Sequence, residues 1–89
     1  MYLSKVVGSV WMTQKEKGME NLKLLIVQPL NLDRKLEGNA VIAVDRIGAG
    51  VGEIVLITSG TPAQRILGDR ISPIDAAVVG IVDSFEVNQ

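Results

Sequence analysis

Eighty-nine residues leave room for one domain, and 1–89 reads as a single unit. Nine basic against ten acidic side chains give a net charge of −1, and the chain has neither Cys nor His. These counts exclude a disulfide framework, a thiolate nucleophile, a Cys/His metal site and a His general base, and they provide no basic footprint for nucleic acid or an anionic membrane surface. The feature that needs a cause is apolarity: 47% hydrophobic residues and a mean hydropathy of +0.31, with only one Trp, one Tyr and one Phe. A domain this small buries only about 60–65% of its unfolded surface. Part of the surplus must either fill a barrel core or lie between subunits of a symmetric oligomer, and the second reading is preferred.

In chain order, the first predicted strand runs from Leu3 to Met12, broken at Gly8, which marks a bulge or bend. The start of the chain lacks a basic region followed by an apolar core, so no targeting segment is expected. Thr13–Asn21 carries Lys15, Glu16, Lys17 and Glu20 around Gly18 and reads as a solvated tip. Leu22–Leu30 is the second strand, and Asn31–Asn39 a second charged connection. Ala40–Ile47 and Glu53–Thr58 are strands three and four, separated by a Gly-rich loop. Both Val41-Ile42-Ala43-Val44 and Ile54-Val55-Leu56-Ile57 are apolar on two faces, so each needs cover on both sides. Thr61-Pro62-Ala63-Gln64 carries a capping-box pattern, with Thr61 as N-cap, Pro62 at N1 and Gln64 at N3. The short helix continues through Arg65, Ile66 and Leu67 to a stop at Gly68, and Ala76–Val87 is the last strand. Five strands with one short helix before the last predict a mainly β fold, a five-stranded OB-like Greek-key β-barrel. The longest apolar runs fall far short of the roughly 20 residues of a spanning helix, so no membrane partner is expected and the chain reads as soluble and intracellular.

Little here can carry chemistry. Gly48-Ala49-Gly50-Val51-Gly52-Glu53 lacks the glycine spacing and following helix of a dinucleotide fingerprint, and no Gly-Lys-Ser/Thr follows it. It reads instead as a tight connection that needs positive φ or close backbone approach, to a neighbouring subunit among other things. The acids Asp45, Glu53, Asp69, Asp75 and Asp83 offer no convincing catalytic pair. Asp45 and Asp83 each end an apolar strand, where a carboxylate accepts N–H bonds from the turn that follows. Tyr2, Trp11 and Phe85 are scattered, so a base-stacking platform is not expected, and Trp11 reads as a filler of core or interface. The Ser59-Gly60-Thr61 segment could collect an anion, but self-capping is the simpler account. No catalytic residue, cofactor or metal site is therefore assigned.

Several blocks together resemble one family. They are Lys5-Val6-Val7-Gly8-Ser9-Val10-Trp11-Met12-Thr13-Gln14-Lys15 and Leu22-Lys23-Leu24-Leu25-Ile26-Val27-Gln28-Pro29. Ala43-Val44-Asp45-Arg46-Ile47-Gly48-Ala49-Gly50-Val51-Gly52-Glu53 follows, then Pro73-Ile74-Asp75 and Gly80-Ile81-Val82-Asp83. In this order they resemble the EutN/CcmL family, pentameric vertex proteins of bacterial microcompartment shells, over nearly the whole chain. The resemblance implies an OB-like protomer in a cyclic homopentamer. It places the ring in the shell of a cytoplasmic microcompartment, among hexameric or pseudohexameric shell proteins, with no enzymatic role and no cofactor. The residues implied at the subunit contact or axis are Gly48, Ala49, Gly50, Gly52 and Glu53. Two departures stand out: Gly60-Thr61-Pro62-Ala63-Gln64-Arg65 replaces a commoner Gly-Ser-Ser-Ala-Arg, and little chain remains after Asp83 for the final strand many members have. The alternative weighed is a small OB-type module for an oligonucleotide or oligosaccharide; a regulatory subunit of an enzyme complex is a third.

Overall fold

The computed structural model describes residues 1–65 and 74–88, with the Gln64 side chain outside that description. Five strands, β1 (Tyr2–Val10), β2 (Leu24–Pro29), β3 (Val41–Val44), β4 (Ile54–Ser59) and β5 (Ala76–Val82), and one short helix, α1 (Thr61–Arg65), follow one another along the chain. The strands close into a barrel in the order β1-β2-β3-β5-β4. All pairings are antiparallel except the closing contact of β3 with β5, which is parallel through Val44 and Ala77. This is the Greek-key closure expected of an OB-like barrel, with the β3–β5 seam joined by a single residue pair.

Alternation assigns the two faces. Val6, Leu25, Val27, Ala43, Val55, Ile57, Ala76 and Val78, drawn from all five strands, form the barrel interior together with Ala49. Each fully buried branched side chain among them contributes about 1.5–3 kcal/mol of transfer free energy. Leu24, Val44 and Ala77 lie one residue away from interior positions and point outward, where Ala63 of α1 and Ile74 cover them. The helix thus supplies at one end of the barrel the second cover that the two-faced strands require.

β1 joins both clusters by a bulge. Val6 lies opposite Val27, whereas Val10 lies opposite Leu24, with a register shift between Val6 and Gly8. Between these pairs five residues of β1 face four of β2, so the parity flips and Val10 packs against the outer cluster. Not every outward position finds cover within the protomer. Ile42, Val79 and Ile47 remain exposed, and Arg46, Ile47, Val78 and Val79 line a shallow groove on the barrel wall. A second register shift, between Leu56 and Ile57 against β5, falls where Val79 protrudes.

Several sequence expectations change, among them a first strand that ends at Val10 rather than Met12. Strand three ends at Val44 rather than Ile47, because Asp45 turns the chain. Strand five ends at Val82 rather than Val87. Trp11 does not fill the core: it is 91% exposed. The expected helix continuation through Ile66 and Leu67, its stop at Gly68, and Asp69 lie outside the described residues.

Candidate assembly surface

The register Leu24↔Val44 places Lys23, just before β2, opposite Asp45, just after β3. The Asp45 N–H donates to the Lys23 carbonyl at 2.9 Å, adding one rung to the ladder. Beyond it the Asp45 side chain turns back under its own loop. One carboxylate oxygen accepts from the N–H groups of Ile47 at 2.9 Å and Gly48 at 3.2 Å; the other accepts from Ala49 N–H at 2.8 Å. The second oxygen also lies 3.2 Å from the Lys23 ammonium, whose other contact is a 3.0 Å bond donated to the Ala49 carbonyl. Burial alone would push the Asp45 carboxyl upward. The Ile47 and Gly48 donors, the Lys23 ammonium and the Ala49 donor outweigh it, and the group is held below the ordinary carboxylate value.

The far end of the loop is tied by backbone. Gly52 N–H donates to the Val6 carbonyl at 2.8 Å, and Val6 N–H to the Glu53 carbonyl at 3.0 Å. Between these anchors a tight turn closes through Glu53 N–H on the Gly50 carbonyl at 3.1 Å, and the Glu53 carboxylate accepts from Gly50 N–H at 2.6 Å. The apex is Val51, an apolar side chain 70% exposed.

The residues singled out from sequence fall into different roles. Gly48 and Gly52 adopt φ +105° and +94°, a region that a side chain enters only under strain. Gly50 has no such φ, and a Cβ there would meet only the movable Glu53 carboxylate oxygen, at 3.3 Å. Ala49 faces the barrel interior rather than a neighbour, so its small size answers to the protomer's own packing. Sequence reasoning missed Lys23, which only the strand register brings to Asp45, and Val51, the branched apolar residue amid glycines.

The other expected features are dispersed. Tyr2 packs against the interior cluster, Trp11 stands in solvent, and Phe85 lies under the Arg34 guanidinium, 4.6 Å from ring centroid to Cζ. These three rings form no common stacking surface. Among the described residues, no group of three or more His, Cys, Asp or Glu side chains is placed to hold a metal ion, and no helix is long and apolar enough to cross a membrane.

Comparison with known proteins decides what such a barrel belongs to. Residues 1–83 match the family model described as ethanolamine utilisation protein EutN/carboxysome. The chain belongs to the EutN/CcmL family. It is 45% identical over 86 residues to the bacterial microcompartment shell vertex protein GrpN of Rhodospirillum rubrum, covering 97% of each chain. The solved GrpN structure, a pentameric microcompartment shell protein, superposes with a TM-score of 0.88 at 44% identity, covering 98% of this chain and 100% of that one. CcmL of Gloeobacter violaceus superposes with a TM-score of 0.92 at 34% identity, covering 99% of this chain and 91% of that one.

Both departures noted in the sequence have structural counterparts. At the helix start, the Gly60 carbonyl accepts from Ala63 N–H at 3.1 Å, so Gly60 rather than Thr61 is the capping residue and Thr61 begins the helix. Gly60 makes this turn at φ +74° while its N–H donates to the Asp75 carbonyl at 2.7 Å. After Asp83, residues 84–88 form no strand. They are held instead at Phe85, whose carbonyl accepts from the Arg34 guanidinium at 3.0 Å.

Proposed function

We propose that this chain is a structural vertex subunit of a bacterial microcompartment shell, without catalytic activity. Five copies form a ring that seats at a five-fold position, among hexameric or pseudohexameric neighbours, and supplies the curvature a sheet of hexagonal tiles needs to close. The observation that carries this reading is the end-to-end likeness to GrpN, whose solved structure is pentameric. The protomer's surface chemistry supports it. Apolar positions on the outer wall, Ile42, Ile47 and Val79, stay exposed in the protomer, as expected where a neighbour completes their cover. Asp45, the most buried acid among the described residues, has its carboxylate committed to the N–H groups of its own loop rather than presented to a substrate.

Within the ring, the Gly48–Gly52 loop is the segment we assign to the subunit contact or axis. Gly48 and Gly52 shape it, Val51 forms its apolar tip, and Gly50 beside that tip is the position where the protomer asks least. Native mass at micromolar concentration tests the ring: five times the 9.6 kDa of one chain is expected, and a mass near one chain would refute it. Gly50→Trp tests the loop, since a side chain there has only the movable Glu53 carboxylate to displace within the protomer, whereas a packed neighbour would oppose it. The expected result is a folded chain with a weakened ring. Mixing with a hexameric shell protein tests the vertex role, with closed particles as the expected product and open sheets or no co-assembly as the contrary one.

A further inference from the structure

A hydrogen-bonded loop at a subunit contact can be either a passive connection or a pre-shaped contact element, and the surroundings of Asp45 distinguish the two. An isolated surface ion pair contributes little, because solvent screens it and two long side chains must be immobilised. The Lys23–Asp45 pair differs in its partners. The Asp45 side chain has no exposed surface, and its two oxygens are filled by three successive loop N–H groups besides the ammonium. Lys23 keeps about half of its side chain in water, 52% exposed, yet its ammonium spans two points of the loop's base, the Asp45 carboxylate and the Ala49 carbonyl. Those points are four residues apart, at the two ends of the turn that the carboxylate closes. Toward the apex the loop has only the Glu53 carboxylate on Gly50 and a single backbone turn.

We infer that Lys23 and Asp45 are positioning residues for ring assembly: the ammonium, bridging the Asp45 carboxylate to the Ala49 carbonyl, holds the Gly48–Gly52 loop in the one shape that a neighbouring copy accepts. This rests on the assignment of that loop to the subunit contact or axis. The physical reason is ordering entropy. A loop already fixed before association loses little freedom when the neighbour packs on it, whereas a slack loop must be ordered at that moment and the ring weakens accordingly. Asp45 also builds the loop, so its removal disturbs fold and assembly together. Lys23 is the informative position, because it is exposed, lies outside the barrel core and its side chain acts on the loop through the ammonium, while its carbonyl bond to Asp45 N–H is backbone and survives substitution.

The test compares wild type with Lys23→Met, which keeps the length of the stem and removes the charge, and with Lys23→Arg. Two quantities are read. One is hydrogen exchange at the Gly48 and Ala49 amides, at a concentration where every variant is pentameric. The other is the concentration at which native mass falls on dilution. For Lys23→Met, loop amides exchanging about tenfold faster and dissociation at about tenfold higher concentration are expected, the magnitude of one lost charge-assisted hydrogen bond. Exchange at the core amides of Val27 and Ile57 should not move, and Lys23→Arg should restore both readouts. Unchanged loop exchange overturns the inference, as does faster loop exchange with an unchanged dissociation point, or equal acceleration throughout the core. Gly50→Trp separates this result from the underlying assignment. A ring lost with Gly50→Trp but unaffected by Lys23→Met removes the inference alone. A ring indifferent to Gly50→Trp removes the loop assignment, and the inference with it.

Discussion

Two connections in this barrel are each organised by one short polar side chain, and they differ in what surrounds it. In the β2–β3 connection, Asn31 accepts through its side-chain oxygen from the N–H groups of Asp33 at 2.9 Å and Lys35 at 3.1 Å. In the β3–β4 connection, Asp45 accepts from three N–H groups and is charged, buried and paired with Lys23. The first turn is exposed and continues as a small hairpin through the Leu30–Leu36 bridge, with Arg34 at φ +65°. Water can replace any bond lost there. Around Asp45 it cannot do so fully, because the Ala49 N–H is buried with the carboxylate. The same local device is therefore a convenience in one loop and a structural commitment in the other.

The largest effect that would sharpen this contrast is Asp45→Ala. It strands three loop N–H groups and removes the partner of Lys23, and about 2–4 kcal/mol of stability should be lost, read by thermal melting at fixed chain concentration. A loss no greater than that of Asn31→Ala would erase the distinction between the two loops. Next comes Gly48→Val, which forces a β-branched residue to φ +105° in otherwise open space and should cost about 1–3 kcal/mol in the same melt.

Acid should act on one loop only. The Asp45 carboxyl is held below its ordinary value of 3.8, so the unfolded chain takes up its proton first as pH falls. The stabilisation is fully present above that ordinary value and is lost as pH drops through the lower folded value. The melting temperatures of wild type and Asp45→Asn should therefore converge below pH 3.8 and separate above it. A constant gap at all pH values would show that the charge is not what Asp45 contributes. Asn31, which does not titrate, should give a gap to Asn31→Ala that is independent of pH. That gap is the smallest effect, about 0.5–1 kcal/mol, as for a solvent-exposed cap.

Much of this was legible along the chain. Gly8 signalled the β1 bulge, the β-branched runs placed all five strands, and Gly48 and Gly52 do occupy the left-handed region that a glycine at a tight connection suggests. Asp45 at a strand end was rightly read as an acceptor for the following turn, because that geometry involves only five consecutive residues. Errors arose where local propensity had to compete with more distant partners. Ile47 and Val87 look like strand residues, yet Asp45 diverts one chain segment and Arg34, from another connection, holds the other at Phe85. Thr61 has the hydroxyl of an N-cap, but the left-handed turn at Gly60 starts the helix one residue earlier.

Apolarity in a short, nearly neutral chain without Cys or His already specified a barrel with surface to spare for association, since two-faced strands must be covered on both sides. Residue order also carried the family, through blocks that keep their sequence from Lys5 to Asp83. Only the tertiary structure decided which face each residue took. The bulge that sends Val10 outward, the inward turn of Ala49, the solvent exposure of Trp11 and the meeting of Lys23 with Asp45 all depend on strand register. Register is a relation between segments some 20 residues apart, and a one-residue slip would exchange every inside for an outside.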